Sequence, residues 1–128
     1  MIEKLLLVAV GGALGASARF LVILGSVRLF GPDFPWGTLI ANVLGSIVMG
    51  VMVVVLIERL PGGGARLAPL VMTGMLGGFT TFSTFSLDAV QLMYRARWIA
   101  AAGYVSASVV LSIIGLALGM ALARAVTS

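Results

Sequence analysis

The sequence predicts an all-α integral membrane protein, and two observations carry this prediction. Of the 128 residues, 61% are hydrophobic and 9% are charged, and the mean hydropathy is +1.21. A soluble domain of this size needs far more charge to cover its surface. The charged residues also separate four long apolar runs, each of which reaches the roughly 20 residues that cross ~30 Å of hydrocarbon.

The four apolar runs are predicted to form four transmembrane helices. They cover residues 5–24, 36–57, 67–87 and 98–123. The connections are short, so the chain is expected to form a single four-span membrane domain over residues 1–128. Trp36, Tyr94 and Trp98 lie at span ends, as interfacial aromatic residues do. We expect a multi-pass protein of the bacterial inner membrane.

The first span holds one charged residue, Arg19. Lys4, an apolar stretch and the sequence ASA at residues 16–18 resemble a cleavable signal peptide. The apolar run resumes after Arg19, however, so we expect an uncleaved span. Arg19 lies five residues from the expected end at Leu24, or about 7.5 Å along a helix. Its guanidinium either snorkels to the interface or forms an electropositive vestibule for anions.

Two spans carry stripes of neutral polar residues at four-residue spacing, which places each stripe on one helix face. The stripe in the second span is Thr38, Asn42 and Ser46. The stripe in the fourth span is Tyr104, Ser108 and Ser112. A lone serine in a helix often bonds to its own backbone, but a buried amide such as that of Asn42 needs a partner. We interpret the stripes as a track of donors for an anion that sheds water gradually.

The third span is predicted to break near its midpoint, where Gly77-Gly78 and the following FTT have low helix propensity. Non-helical backbone at this depth must be buried in protein or line a watery cavity. Carbonyls freed by the break could coordinate a hard cation. A continuous helix weakened by glycine is the alternative.

Phe82 and Phe85 follow the expected break and share a helix face. Such a pair is usually a packing contact. Beside Ser83 and Thr84, the positive ring edges could instead face an anion.

The residue types that are missing exclude several functions. The spans contain no Asp, Glu or His, which argues against proton-coupled antiport of the kind found in the small multidrug resistance family. The chain has no cysteine, so disulfides and thiolate metal sites are excluded. The net charge of +4 comes from basic residues dispersed at span ends, which fits membrane anchors and does not indicate nucleic-acid binding.

The charges at the two ends of the bundle are nearly balanced. The end with the chain termini carries Lys4, Arg59, Arg66 and Arg124. The other end carries Arg28, Arg95 and Arg97, with Arg19 as a fourth if it reaches the interface. Because orientation follows a bias in Lys and Arg, this balance predicts insertion both ways up and an antiparallel, dual-topology homodimer.

The size of the chain also favours an oligomer, because four packed helices leave little room for a pathway. Small residues at four-residue spacing favour close helix packing. These pairs are Gly11/Gly15, Ala41/Gly45, Gly74/Gly78 and Gly115/Gly119. We expect at least half of them to pack within one subunit.

Three motifs together resemble one family along nearly the whole chain. They are GGALGASARF at residues 11–20, GTLIANVLGS at residues 37–46 and GMLGGFTTFSTFS at residues 74–86. Their order and spacing are similar to those of the Fluc (CrcB) fluoride channels, and the third motif is highly specific. The resemblance implies passive fluoride export through two pathways in an antiparallel homodimer with a structural sodium ion at its interface.

The resemblance also implies roles for individual residues. Gly77 and Thr80 would give backbone carbonyls to the sodium ion, and Arg19 would lie near a vestibule. The anion pathway would be lined by Asn42, Phe82, Ser83, Thr84, Phe85, Tyr104, Ser108 and Ser112. Both subunits would contribute the phenylalanines Phe82 and Phe85 to each pathway.

The sequence therefore predicts a fluoride channel and not an enzyme. Three alternatives stay open: a small multidrug-type antiporter, a non-transporting membrane assembly subunit, and a sodium channel built on the midplane carbonyls.

Overall fold

A computed structural model describes residues 1–62 and 64–128, and the described chain consists of helices and short connections. The helices are α1 (Ile2–Phe30), α2 (Trp36–Arg59), α3 (residues 64–79), α4 (Phe82–Tyr94) and α5 (Trp98–Thr127). Helices α3 and α4 are two halves of one span, Gly64–Tyr94, so the described residues form four helices long and apolar enough to span a membrane. This confirms the predicted all-α, multi-pass membrane protein.

The helices are longer than the apolar runs, because their ends continue into charged turns. Two segments have the wider turn of a π-helix, at Val53–Arg59 and at Pro69–Leu76. The second begins at a proline, which has no N–H to give to the usual carbonyl.

The predicted break in the third span is confirmed, and it lies within the stretch expected to break. Thr80 (ψ 154°) and Thr81 (φ −152°, ψ 123°) are extended, while Gly77 is helical (φ −62°, ψ −36°). The break therefore lies at the threonine end of the predicted stretch GGFTT, while its glycines remain helical. The Thr81 hydroxyl caps α4 by accepting from Thr84 N at 3.1 Å, and this cap fixes where the second half begins.

Glycines bring the helices together in two tight pairs, α1 with α3 and α2 with α5. A Cβ built on Gly15 would collide with the Met75 carbonyl, and one on Gly11 with the Leu70 carbonyl. A Cβ on Gly119 would likewise meet the Ile47 carbonyl. These small residues therefore pack within one subunit.

A cluster of buried residues lies between α2, α4 and α5. Its members are Leu39, Phe85, Ala89, Leu92, Ala101 and Tyr104. Tyr104 is fully buried and is the largest such side chain. Most other large apolar side chains point outwards, as expected for helices that face lipid.

The close α1–α3 contact predicts that Gly15→Val destabilises the protein by about 1–3 kcal/mol, because the added carbons require α3 to move. Thermal unfolding in detergent measures this. Gly12→Ala is the matched control, since its methyl would meet nothing within 4 Å. Equal melting temperatures for the two variants would contradict the packing described here.

Candidate functional site

The backbone at the break is held by the side chain of Asn42 on α2. Thr81 N donates to Asn42 Oδ1 at 2.7 Å, and Asn42 Nδ2 donates to the Thr81 carbonyl at 3.0 Å. The amide thus replaces the helical partners that Thr81 has lost. Because an unpaired backbone group is costly in apolar surroundings, this pair of bonds stabilises the extended residues. An amide NH₂ has two donors, so one N–H of Asn42 is not used by the pair.

The break also frees backbone carbonyls. In a continuous helix the carbonyls of Gly77 and Thr80 would accept from Thr81 N and Thr84 N, four residues on. Those amides instead donate to Asn42 Oδ1 and Thr81 Oγ1. Thr80 N still bonds to the Leu76 carbonyl at 3.0 Å, so α3 is intact up to this point. Both freed oxygens are of the type that hard cations prefer, which fits the sodium site implied by the resemblance.

A groove of about 450 Å³ lies beside the break, between α2, α4 and α5. Its polar wall is formed by Asn42, Ser46, Thr80, Thr81, Ser108 and Ser112. Phe82 and Phe85 complete it, together with apolar residues of α2 and α5. The groove therefore brings together five of the predicted pathway residues: Asn42, Phe82, Phe85, Ser108 and Ser112.

Ser108 provides a free hydroxyl in this groove. Its side chain is buried, and among the described residues its Oγ has no hydrogen-bond partner. The bond to its own helix that commonly satisfies such a serine is not made. A buried hydroxyl without a partner is unfavourable, so a partner from outside the described chain would stabilise it.

The two phenylalanines differ in their surroundings. Their ring centroids are 5.3 Å apart, but Phe85 is 8% exposed while Phe82 is 77% exposed. Phe85 also packs against Tyr104, with centroids 5.3 Å apart. Phe85 is thus both core and groove wall, whereas Phe82 projects from the bundle and leaves the groove open on that side.

Arg19 lies on a different side of α4 from the groove. Its Nη1 donates to Thr84 Oγ1 at 3.3 Å, and its buried Nε has no partner among the described residues. Helix α1 continues to Phe30, so Arg19 is about 16 Å from the helix end. The guanidinium is therefore directed towards α4, which favours the vestibule over snorkelling. The Ser83 hydroxyl lies 3.3 Å from Thr81 Oγ1 and is exposed.

A second cavity, of about 180 Å³, lies between α1, α2, α4 and the first loop. Its polar lining is Ser26, Thr38, Thr84, Asp88, Gln91 and Arg95. Tyr104 does not line the groove; its hydroxyl donates to Asp88 Oδ2 at 3.2 Å. The predicted residues thus separate into two sets, with Thr84, Arg19 and Tyr104 near this cavity.

Sequence reasoning missed Asp88, Gln91 and Arg95, because it ended the third span at Leu87. Their spacing along the helix could have identified them. Counted from Thr84 they follow at i+4, i+7 and i+11, which is one face of a helix.

A family model described as CrcB-like protein, Camphor Resistance (CrcB), matches residues 6–120. The chain belongs to the CrcB-like family. A relative from Cereibacter sphaeroides named "Fluoride-specific ion channel FluC" is 62% identical over 124 residues, 97% of each chain. Relatives of the same name are 51% identical in Ruegeria sp., over 98% of each chain, and 49% identical in Mesorhizobium japonicum, over 94% of this chain and 96% of that one.

The Asn42 pair of bonds predicts that Asn42→Leu destabilises this CrcB-like chain by about 2–5 kcal/mol, because two backbone groups lose their partners in a dry region. Thermal unfolding measures the loss, and hydrogen exchange at Thr81 should become faster. Ser46→Ala changes the same groove without touching the break. If Asn42→Leu were as stable and as slowly exchanging as Ser46→Ala, Asn42 would not hold the backbone.

Proposed function

We propose that the protein is a fluoride-selective ion channel, and not an enzyme, that lets fluoride leave the cytoplasm passively across a bacterial inner membrane. The groove beside the broken helix is the observation that carries this function. The shared name of the relatives supports fluoride as the permeant ion.

The chemistry of the groove favours a small anion. Its polar groups are hydroxyls and one amide, and no carboxylate lines it. Hydroxyl and amide hydrogens can replace the water of an anion one donor at a time. The buried Ser108 hydroxyl has no partner among the described residues and could donate to an anion after turning towards the groove. The ring edges of Phe82 and Phe85 carry partial positive charge and can face the ion where hydroxyls are absent.

The functional unit in this proposal is an antiparallel, dual-topology homodimer. Phe82 is exposed and the groove is open, so a single chain supplies only part of a pathway wall. Arg19 is bonded to Thr84 inside the bundle, so it is not counted at either end. The end with the chain termini then carries four basic residues and the other end carries three. Such a small bias favours insertion both ways up. Two copies give two pathways, each with phenylalanines from both subunits.

We further propose a structural sodium ion at the dimer interface, held by the carbonyls of Gly77 and Thr80. Gly77 lies on the exposed surface of the bundle, and both carbonyls have lost their helical donors. The break lies near the middle of the span Gly64–Tyr94. A two-fold axis in the membrane plane would therefore bring two breaks together.

Efflux of fluoride from protein-loaded liposomes, with potassium and valinomycin to balance charge, tests the function. We expect fluoride efflux and little chloride efflux. Equal chloride efflux would contradict selectivity, and uptake driven by a pH gradient would indicate an antiporter. Sodium flux would indicate a sodium channel, and complete inactivity would favour an assembly subunit.

Phe82→Ile and Phe85→Ile should each reduce fluoride efflux about two- to tenfold, taking a ring-edge contact with the anion to be worth as much as an aromatic pair, about 0.5–1.5 kcal/mol. Phe30→Ile, at the end of α1, is the matched control and should conduct normally. Normal fluoride efflux in both groove variants would show that the two rings only pack and do not contact the ion. Dimer content, measured by crosslinking, should not change in Phe82→Ile.

The sodium proposal predicts that protein purified without sodium, in N-methylglucamine, loses dimer stability and fluoride efflux, and that added sodium restores both. The reason is that freed carbonyls facing one another repel without a cation between them. Retention of about one ²²Na⁺ per dimer through gel filtration is a direct measurement. Full efflux and unchanged dimer stability without sodium would exclude a structural ion.

A further inference from the structure

We propose that Arg95 recruits the permeant anion at the mouth of the second cavity, and that this cavity is the hydrated entrance to the broken helix. This inference rests on the proposed channel function and assigns its entrance. It concerns Gln91, on the last turn of α4, and Arg95, just beyond the end of that helix.

The cavity runs along one face of α4. Thr84, Asp88, Gln91 and Arg95 all line it, at the spacing of a single helix face. Helix α4 covers Phe82–Tyr94, so its 13 residues extend about 20 Å from the break to the loop. Arg95 follows the last residue of the helix and is exposed. The polar stripe therefore connects the membrane surface with the break.

The charges along this stripe alternate from the loop inwards. Arg95 lies at the outer end and Asp88 in the middle. At the inner end, Arg19 donates a hydrogen bond to Thr84. The Asp88 carboxylate would repel an incoming anion. It accepts from the Tyr104 hydroxyl at 3.2 Å but, among the described residues, forms no ion pair. An anion that passes Asp88 therefore needs a compensating positive charge nearby, and Arg95 supplies one.

Arg95 is available for this role, while its neighbour is not. Arg97 donates Nη1 to the Asp33 carbonyl and so ties the third loop to the first. The side chain of Arg95 has no hydrogen bond or ion pair to the described residues. A cation that lines a cavity wall and is not neutralised raises the local concentration of anions.

The size of the cavity suits an ion that is still hydrated. A volume of about 180 Å³ holds about six water molecules at ≈ 30 Å³ each. An anion can therefore keep most of its water beside Gln91 and Asp88 and lose it only beyond Thr84.

The test compares fluoride efflux through Arg95→Gln, Arg95→Lys and Arg28→Gln at increasing fluoride concentrations. Arg28→Gln removes the same charge from the same end of the bundle but does not line the cavity. Loss of one positive charge from the cavity wall should raise the half-saturating fluoride concentration about threefold in Arg95→Gln at low ionic strength. The maximal rate should stay unchanged, and Arg95→Lys should resemble the unaltered protein.

Salt separates recruitment from a structural role. In about 1 M potassium gluconate the Debye length falls to about 3 Å, so the difference between Arg95→Gln and the unaltered protein should disappear. Equal effects of Arg95→Gln and Arg28→Gln, or a defect that persists in high salt, would overturn the inference while leaving the channel proposal intact. Absence of fluoride efflux from the unaltered protein would overturn both.

Discussion

The need to satisfy backbone hydrogen bonds in apolar surroundings governs the whole architecture. Three of the four spans meet it with continuous helices. The span Gly64–Tyr94 does not, since Thr80 and Thr81 are extended in its middle. The amide of Asn42 and the hydroxyl of Thr81 take over the lost bonds. The break is therefore a stable feature of the fold and not a fault in a helix.

The exchange of backbone for side-chain hydrogen-bond partners also creates the chemistry of the site. Each amide that bonds to a side chain leaves a carbonyl oxygen without its usual donor. Gly77 and Thr80 gain acceptors in this way, while the first turn of α4 presents the hydroxyls of Thr81, Ser83 and Thr84. One irregularity thus places acceptors suited to a cation next to donors suited to an anion, without a carboxylate in the groove.

Helix α4 faces the groove on one side and the second cavity on the other, and the hydroxyls of Thr81 and Thr84, 3.2 Å apart, link the two. Phe85 faces the groove and packs against Tyr104, whose hydroxyl reaches Asp88 beside the second cavity. The buried core around this pair fixes the rotation of α4 about its axis. That rotation decides which polar residues face the groove and which face the cavity.

The sequence by itself determined the four spans, because hydropathy and run length are local properties of the chain. It also favoured a break in the third span, since glycine and threonine cluster near its midpoint, but left a continuous helix as the alternative. The stripes Asn42/Ser46 and Ser108/Ser112 could be predicted from helical periodicity alone, and the structure places all four residues on one groove.

Only the tertiary structure decided which groups meet. It located the break at Thr80–Thr81 within the predicted stretch GGFTT, because Asn42 comes from another helix and its reach sets the position. It bonded Arg19 to Thr84, and it placed Arg95 in a cavity. Periodicity gives the face of a helix on which a residue lies. The rotation and depth of that helix against its neighbours depend on packing between distant segments, here through glycines such as Gly15 and Gly119.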